Sequence, residues 1–148
     1  MSLQDNKALV QHVYAEFDQQ NLDALLELYA PDFTLYSPSV PQPVRGVVAL
    51  AQLARVFWNA LPDLRTAIGD LLADGDRVAV RFTIRGTHEG VFMDVPPTGK
   101  PVTLTGIEII RIAGGKIEEE WVSYDRLGVL RQLGAMPVPQ QAEVAASV

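Results

Sequence analysis

An α+β fold, helices first and strands after, follows from one change of rhythm along the chain and from the turns beyond it. Up to Leu61 apolar side chains recur every three or four positions, and from Leu64 they begin to alternate. Asp74-Gly75-Asp76 and Gly114-Gly115 then punctuate a long antiparallel meander. Three helices are therefore expected to pack on one side of a curved, mainly antiparallel sheet.

Residues 5–19 carry Leu9, Val13 and Phe17 in one stripe with Tyr14 alongside, and Ser2 or Asp5 is the expected cap. Asn21 or Asp23 caps a second short helix that runs through Leu28 and stops at Pro31. Residues 33–37 form a short strand, ended by a loop containing Pro38, Pro41 and Pro43. Gly46 opens a third helix over residues 47–61, with Leu50, Leu53, Ala54, Phe57 and Leu61 on one face. Strands follow over residues 64–73 and 77–88. In the second, Val78, Val80, Phe82, Ile84, Gly86 and His88 share a face, so His88 closes an apolar row. The loop 89–101 holds Val91, Phe92, Met93 and Val95, too apolar for an idle surface, and reads as a lid. Strands over 102–112 and 116–124 and a helix over 127–133 complete one domain, residues 1–137. Residues 138–148 are left as a tail, mobile or docked on a partner subunit.

Composition narrows the function. At 148 residues, with 48% apolar and 20% charged, the chain forms one globular domain with a real core. It has no cysteine, hence no disulfide and no thiolate nucleophile. Its first residues, MSLQDNKALVQHV, lack the basic stretch and apolar run of a secretory signal, so a cytoplasmic protein is expected. No long apolar run offers a membrane span. A net charge of −6 argues against nucleic acid or an anionic membrane and leaves a small, hydrophobic ligand. Two histidines, His12 and His88, stand far apart, and neither nucleotide-binding glycine motifs nor a metalloprotease motif occurs. No metal and no cofactor are expected, and acid–base chemistry or plain binding remains.

With Gly114-Gly115 as a two-residue turn, strict pairing sets Glu108 opposite Trp121, Gly106 opposite Ser123 and Leu104 opposite Asp125. Those six residues are expected to face inward, with space above the small side chains of Gly106 and Ser123. A carboxyl on such a face loses hydration, which raises its pKa towards that of a general acid or base. Asp125 is equally a candidate N-cap for the last helix. Glu108 is equally a candidate partner for Arg65 or Arg81, and His88 for a core histidine. His12 reads as a helix-surface residue. Tyr14, Tyr36, Phe57 and Trp58 suit either a core or a pocket wall.

The ordered pieces LPDL (61–64), ADGDRVAVR, GTHEG (86–90), PPTGKPV (96–102), GGKIEEEW (114–121) and LRQLG (130–134) resemble the SnoaL-like polyketide cyclase, or ester cyclase, family. Asp125 follows the tryptophan at the family's spacing. The resemblance runs from the first helix to about Pro137 and implies a cone-shaped α+β barrel of the nuclear transport factor 2 superfamily, assembled as a homodimer or higher homo-oligomer. It further implies a cofactor-independent cyclase that closes a ring by intramolecular aldol chemistry, with Asp125 as general acid/base and His88 assisting. Tyr36 stands where many relatives carry a histidine. The expected pocket is shaped by Trp121, Glu108, Tyr14, Tyr36, Phe57, Phe92 and Leu104, around a hydrophobic carbonyl compound. A superfamily isomerase or hydrolase using the same carboxylate, and a non-catalytic binding or dimerisation module, are the alternatives.

Overall fold

The computed structural model describes residues 2–138, so the expected tail lies, Val138 apart, outside the described residues. Helix α1 (Leu3–Asp18) starts where Ser2 and Asp5 satisfy each other: the Asp5 amide donates to Ser2 Oγ and the Ser2 amide to Asp5 Oδ2, both at 3.0 Å. Val10 and Val13 are its buried residues on the sheet side, with Tyr14 and Phe17 beside them. A short α2 (Leu22–Leu26) leads into β1 (Tyr29–Tyr36), which begins earlier than expected. Pro31 is accommodated because β1 makes no regular pairing between Tyr29 and Thr34.

The two-residue β2 (Val44–Arg45), unforeseen, pairs with β1 and delivers the chain to α3 (Gly46–Ala60). Trp58 of α3 donates its indole N–H to the Phe17 carbonyl at 2.9 Å, pinning α3 to the end of α1. The meander then runs β3 (Arg65–Asp74), β4 (Arg77–Thr87), β5 (Pro101–Ala113) and β6 (Lys116–Tyr124), followed by α4 (Arg126–Gln132).

The six strands lie in the order β2-β1-β6-β5-β4-β3, all neighbours antiparallel except β1 with β6. Among the described residues β2 and β3 are free edges, so the expected barrel is an open one. Helices α1 and α3 cover the face that carries Val78, Val80, Phe82 and Ile84, which are all buried as their alternation requires. Gln132 of α4 exchanges two hydrogen bonds with the backbone of Thr103, at 2.7 and 2.8 Å, and seals the end of β5.

One register differs from strict pairing. Gly114 and Gly115 both take positive φ (58° and 74°) and form the tight turn, with Ala113 opposite Lys116 and Ile112 opposite Ile117. Arg111 then faces Glu119 because Glu118 bulges out of the ladder. From there Ile110 faces Glu120, Ile109 faces Trp121, Glu108 faces Val122 and Gly106 faces Tyr124. The expected pairs Glu108–Trp121, Gly106–Ser123 and Leu104–Asp125 are therefore corrected. The bulge turns Val122 and Tyr124 to the helix-covered face and Trp121 and Ser123 to the other. It also carries Glu120 inward. The expected space above Gly106 is filled too: Phe82, its partner on β4, lies so close that a Cβ there would sit 2.5 Å from its ring.

Candidate functional site

Between α1, α3 and the inner sheet face lies an apolar cavity of about 160 Å3. Its walls come from Val13 and Phe17 of α1, Leu53 and Phe57 of α3, and Ile84 and Leu104 of the sheet. Val40 and Val44, flanking the proline-containing loop, border one side. Tyr14, Phe57 and Leu104 are among its lining residues.

Two carboxyls line this apolar space. Glu108 on β5 and Glu120 on β6 are 8% and 5% exposed. They are diagonal neighbours on one face, roughly 7–8 Å apart at the backbone. Each is held by a tyrosine from another element. Tyr14 of α1 donates a short hydrogen bond from its hydroxyl to Glu108 Oε1, and Tyr29 of β1 donates to Glu120 Oε1 at 3.0 Å. Among the described residues neither carboxyl makes a hydrogen bond beyond the one to its tyrosine. No lysine, arginine or histidine lines the cavity among them either.

Burial without a counter-ion sets the electrostatics. Loss of hydration pushes the Glu108 carboxyl up to about 7, against the opposing pull of the Tyr14 hydrogen bond. Glu120 rises well above the carboxylate range, first through burial and then through repulsion from Glu108; the Tyr29 hydroxyl works the other way. Both tyrosines are driven up by burial first and by the neighbouring carboxylate second. Near neutral pH the pair therefore retains at least one proton between its two carboxyls.

The other expected site residues stand elsewhere. Asp125 is exposed, and its carboxylate accepts from the Gly128 amide at 2.8 Å as the N-cap of α4. It does not line the cavity. His88 is fully buried beyond the cavity's end. Its Nδ1 accepts from the Thr98 amide at 3.2 Å and stands 2.9 Å from the Thr98 hydroxyl, which leaves the ring proton on Nε2. The His88 amide donates to Lys100 and the Glu89 amide to Ala60, so histidine and loop are tied to the end of α3. Phe92 is buried against Phe57 at 5.4 Å between ring centroids, outside the cavity wall. The expected lid is thus pinned across the end of α3.

Trp121 and Tyr36 are on the outer face, where their rings stack at 5.7 Å with Arg77 against the Trp121 ring. They line an outer groove with Pro38, Pro41, Ile107 and Ile109. Glu108 pairs with Tyr14 and with neither arginine, because Arg65 and Arg81 alternate onto that outer face. Arg81 bonds Asp70 there at 2.6 Å, and Arg65 bonds the Leu64 carbonyl. No three metal-ligating side chains converge among the described residues, and no helix there is long and apolar enough to cross a membrane.

Sequence reasoning missed Glu120, Tyr29 and Tyr124. One signal was available: with Glu120, Val122 and Tyr124 inward the face gains a valine and an aromatic ring beside Gly106, where strict alternation would bury Ser123 and Asp125.

The family model for SnoaL-like polyketide cyclase matches residues 8–133. Aklanonic acid methyl ester cyclase DnrD of Streptomyces peucetius is 36% identical over 70 residues, covering 45% of this chain and 47% of that protein. The match therefore spans about half the length of that curated relative. AclR from Streptomyces galilaeus, a proposed hydroxylase, superposes with a TM-score of 0.86 at 31% identity, over 99% of this chain and 91% of AclR. IdmH from Streptomyces antibioticus, a proposed polyketide cyclase, gives 0.77 at 32% identity, over 87% and 98%. The matched span takes in both buried glutamates and the tyrosines that hold them, and the chain belongs to the SnoaL-like polyketide cyclase family.

Proposed function

We propose that this protein is a cyclase-type enzyme that performs acid–base chemistry on a hydrophobic carbonyl compound, with Glu108 as the group that moves the proton. One observation carries the proposal: a buried carboxyl, raised to about 7 by desolvation, lines an apolar cavity. The Glu108 carboxylate removes a proton alpha to a carbonyl, breaking the C–H bond and forming O–H. The enolate carbon then attacks a second carbonyl of the same molecule, and the new alkoxide takes the proton back. Holding both carbonyls in one cavity supplies the orientation that ring closure needs. In this scheme Asp125 and His88 are structural: the first caps α4 and the second holds the loop after β4.

The test is exchange of the alpha protons of 2-indanone, a neutral ring ketone, in D2O, followed by NMR. Glu108→Gln should slow exchange by about 10²–10⁴-fold, whereas Asp125→Asn should stay within a few-fold of the parent. Equal rates for Glu108→Gln and the parent would remove Glu108 from the chemistry.

We also propose that the protein is a cytoplasmic homodimer joined through the outer sheet face. Ile107 and Ile109 are 57% and 40% exposed beside the Tyr36–Trp121 stack, an apolar patch on a chain of net charge −6. A second copy offers the same patch and closes it symmetrically. Ile109→Glu should convert a dimer to a monomer in light scattering. A parent protein already monomeric at high concentration would refute the interface.

A further inference from the structure

Glu120 is the other ionisable group of the cavity, and acid–base chemistry by Glu108 alone gives it no task. Rather than being a buried remnant, it is built in. A β-bulge at Glu118 turns it inward, Tyr29 reaches across from β1 to hold one of its oxygens, and the residue lines the cavity beside Glu108. A carboxyl in an apolar wall is expensive, and Glu120 has no cation beside it to offset that cost.

Resting on the reading of Glu108 as the base, we infer that Glu120 is a second catalytic residue, the acid that protonates the substrate carbonyl, and that the substrate end bound here is an uncharged, ring-sized ketone. Three features of the site converge on this. Both carboxyl residues line one cavity from adjacent strands, so one can meet the alpha carbon while the other meets the carbonyl oxygen. Nothing cationic lines the cavity among the described residues, so a carboxylate or phosphate ligand would meet only repulsion. And a volume of about 160 Å3 matches a single ring, since an apolar cavity of about 150 Å3 is known to take benzene.

The step balances within the dyad. The Glu108 carboxylate takes the alpha proton as the C–H bond breaks, and the Glu120 carboxyl gives its proton to the carbonyl oxygen, leaving a neutral enol. The single negative charge has moved from Glu108 to Glu120 and the total is unchanged, so no second charge is created in the dry cavity. When the enol carbon attacks the second carbonyl, the enol O–H proton returns to Glu120 and Glu108 protonates the new alkoxide. Two carboxyls on adjacent strands of one cavity wall can divide the roles in this way.

The decisive experiment is the pH–rate profile of 2-indanone exchange for the parent, Glu120→Gln and Tyr29→Phe. The parent should give a bell, its acid limb from Glu108 and its alkaline limb from Glu120. Glu120→Gln should fall by about 10²-fold and lose the alkaline limb while keeping the acid one. Tyr29→Phe removes a hydrogen bond that favours ionised Glu120, so its alkaline limb should persist and move to higher pH. Glu120→Gln with the parent's rate and both limbs would overturn the assignment to Glu120 and leave Glu108 in place. A parent that exchanges no faster than buffer would overturn the acid–base reading itself. Should Glu120→Gln not fold, an unmoved alkaline limb in Tyr29→Phe overturns the assignment.

Discussion

Glu120 and Asp125 belong to one short run of chain, yet they live in opposite media. Glu120 is 5% exposed in an apolar cavity with a tyrosine for company, while Asp125 stands in water and caps a helix. The same functional group therefore does two jobs within one strand and the residue that follows it. What separates them is a single extra residue: the bulge at Glu118 inverts every side chain of β6 beyond it. A carboxyl's chemistry is set by the face it is given, and the face here is set by a backbone detail outside the cavity.

The strongest way to break that contrast is to shift the register of β6. Inserting one alanine between Glu119 and Glu120 turns every later side chain to the opposite face, which would bury Ser123 and Asp125 and expose Val122 and Tyr124. Loss of a folded state, or more than about 4 kcal/mol of stability, is expected in denaturant unfolding. An insertion variant of parental stability would show that β6 tolerates either register.

The next effect concerns pH. The Glu108 carboxyl binds its proton more tightly in the fold, at about 7, than at the ordinary value of 4.5. The fold therefore disfavours the ionised form: the native state carries no penalty below the ordinary value and loses stability as pH rises from there towards 7. Glu108→Gln escapes this loss. It should be more stable than the parent by about 3 kcal/mol at about pH 8 and by little at about pH 4. A stability gap that does not widen with pH would mean that Glu108 is not desolvated.

The smallest effect belongs to Asp125. Asp125→Ala removes a capping acceptor and should cost about 1 kcal/mol of stability, with parental proton exchange on 2-indanone. If it lost activity in proportion to Glu108→Gln, the division between the two carboxyls would collapse.

How far the sequence discloses these facts depends on the range of the interaction. Alternation in β4 is unbroken, so its buried face and the burial of His88 could be read directly. The same rule carried Leu104 and Glu108 to the correct face of β5. It failed on β6 because strict alternation allows no extra residue, and that exchanged Trp121 for Glu120. Phe82 over Gly106 was legible in principle, being an aromatic ring directly across from a glycine. The tyrosines were not. Tyr14 meets Glu108 only because α1 lies across the sheet, and Tyr29 meets Glu120 only through the parallel β1–β6 pair, a pairing no turn announces. Family motifs pointed to the fold and to a pocket, while the carboxyls inside it came from packing.

The central claim, that two glutamates form a dry acid pair, is tested most directly by carbon NMR of glutamate side-chain carboxyls across a pH titration. Two carboxyl signals should titrate far above the rest, one near 7 and the other well above the ordinary 4.5, and both should be lost or shifted in Glu108→Gln. If every glutamate titrates in the ordinary range near 4.5, the cavity is wet, the pair is not poised, and the assignment of function to it fails.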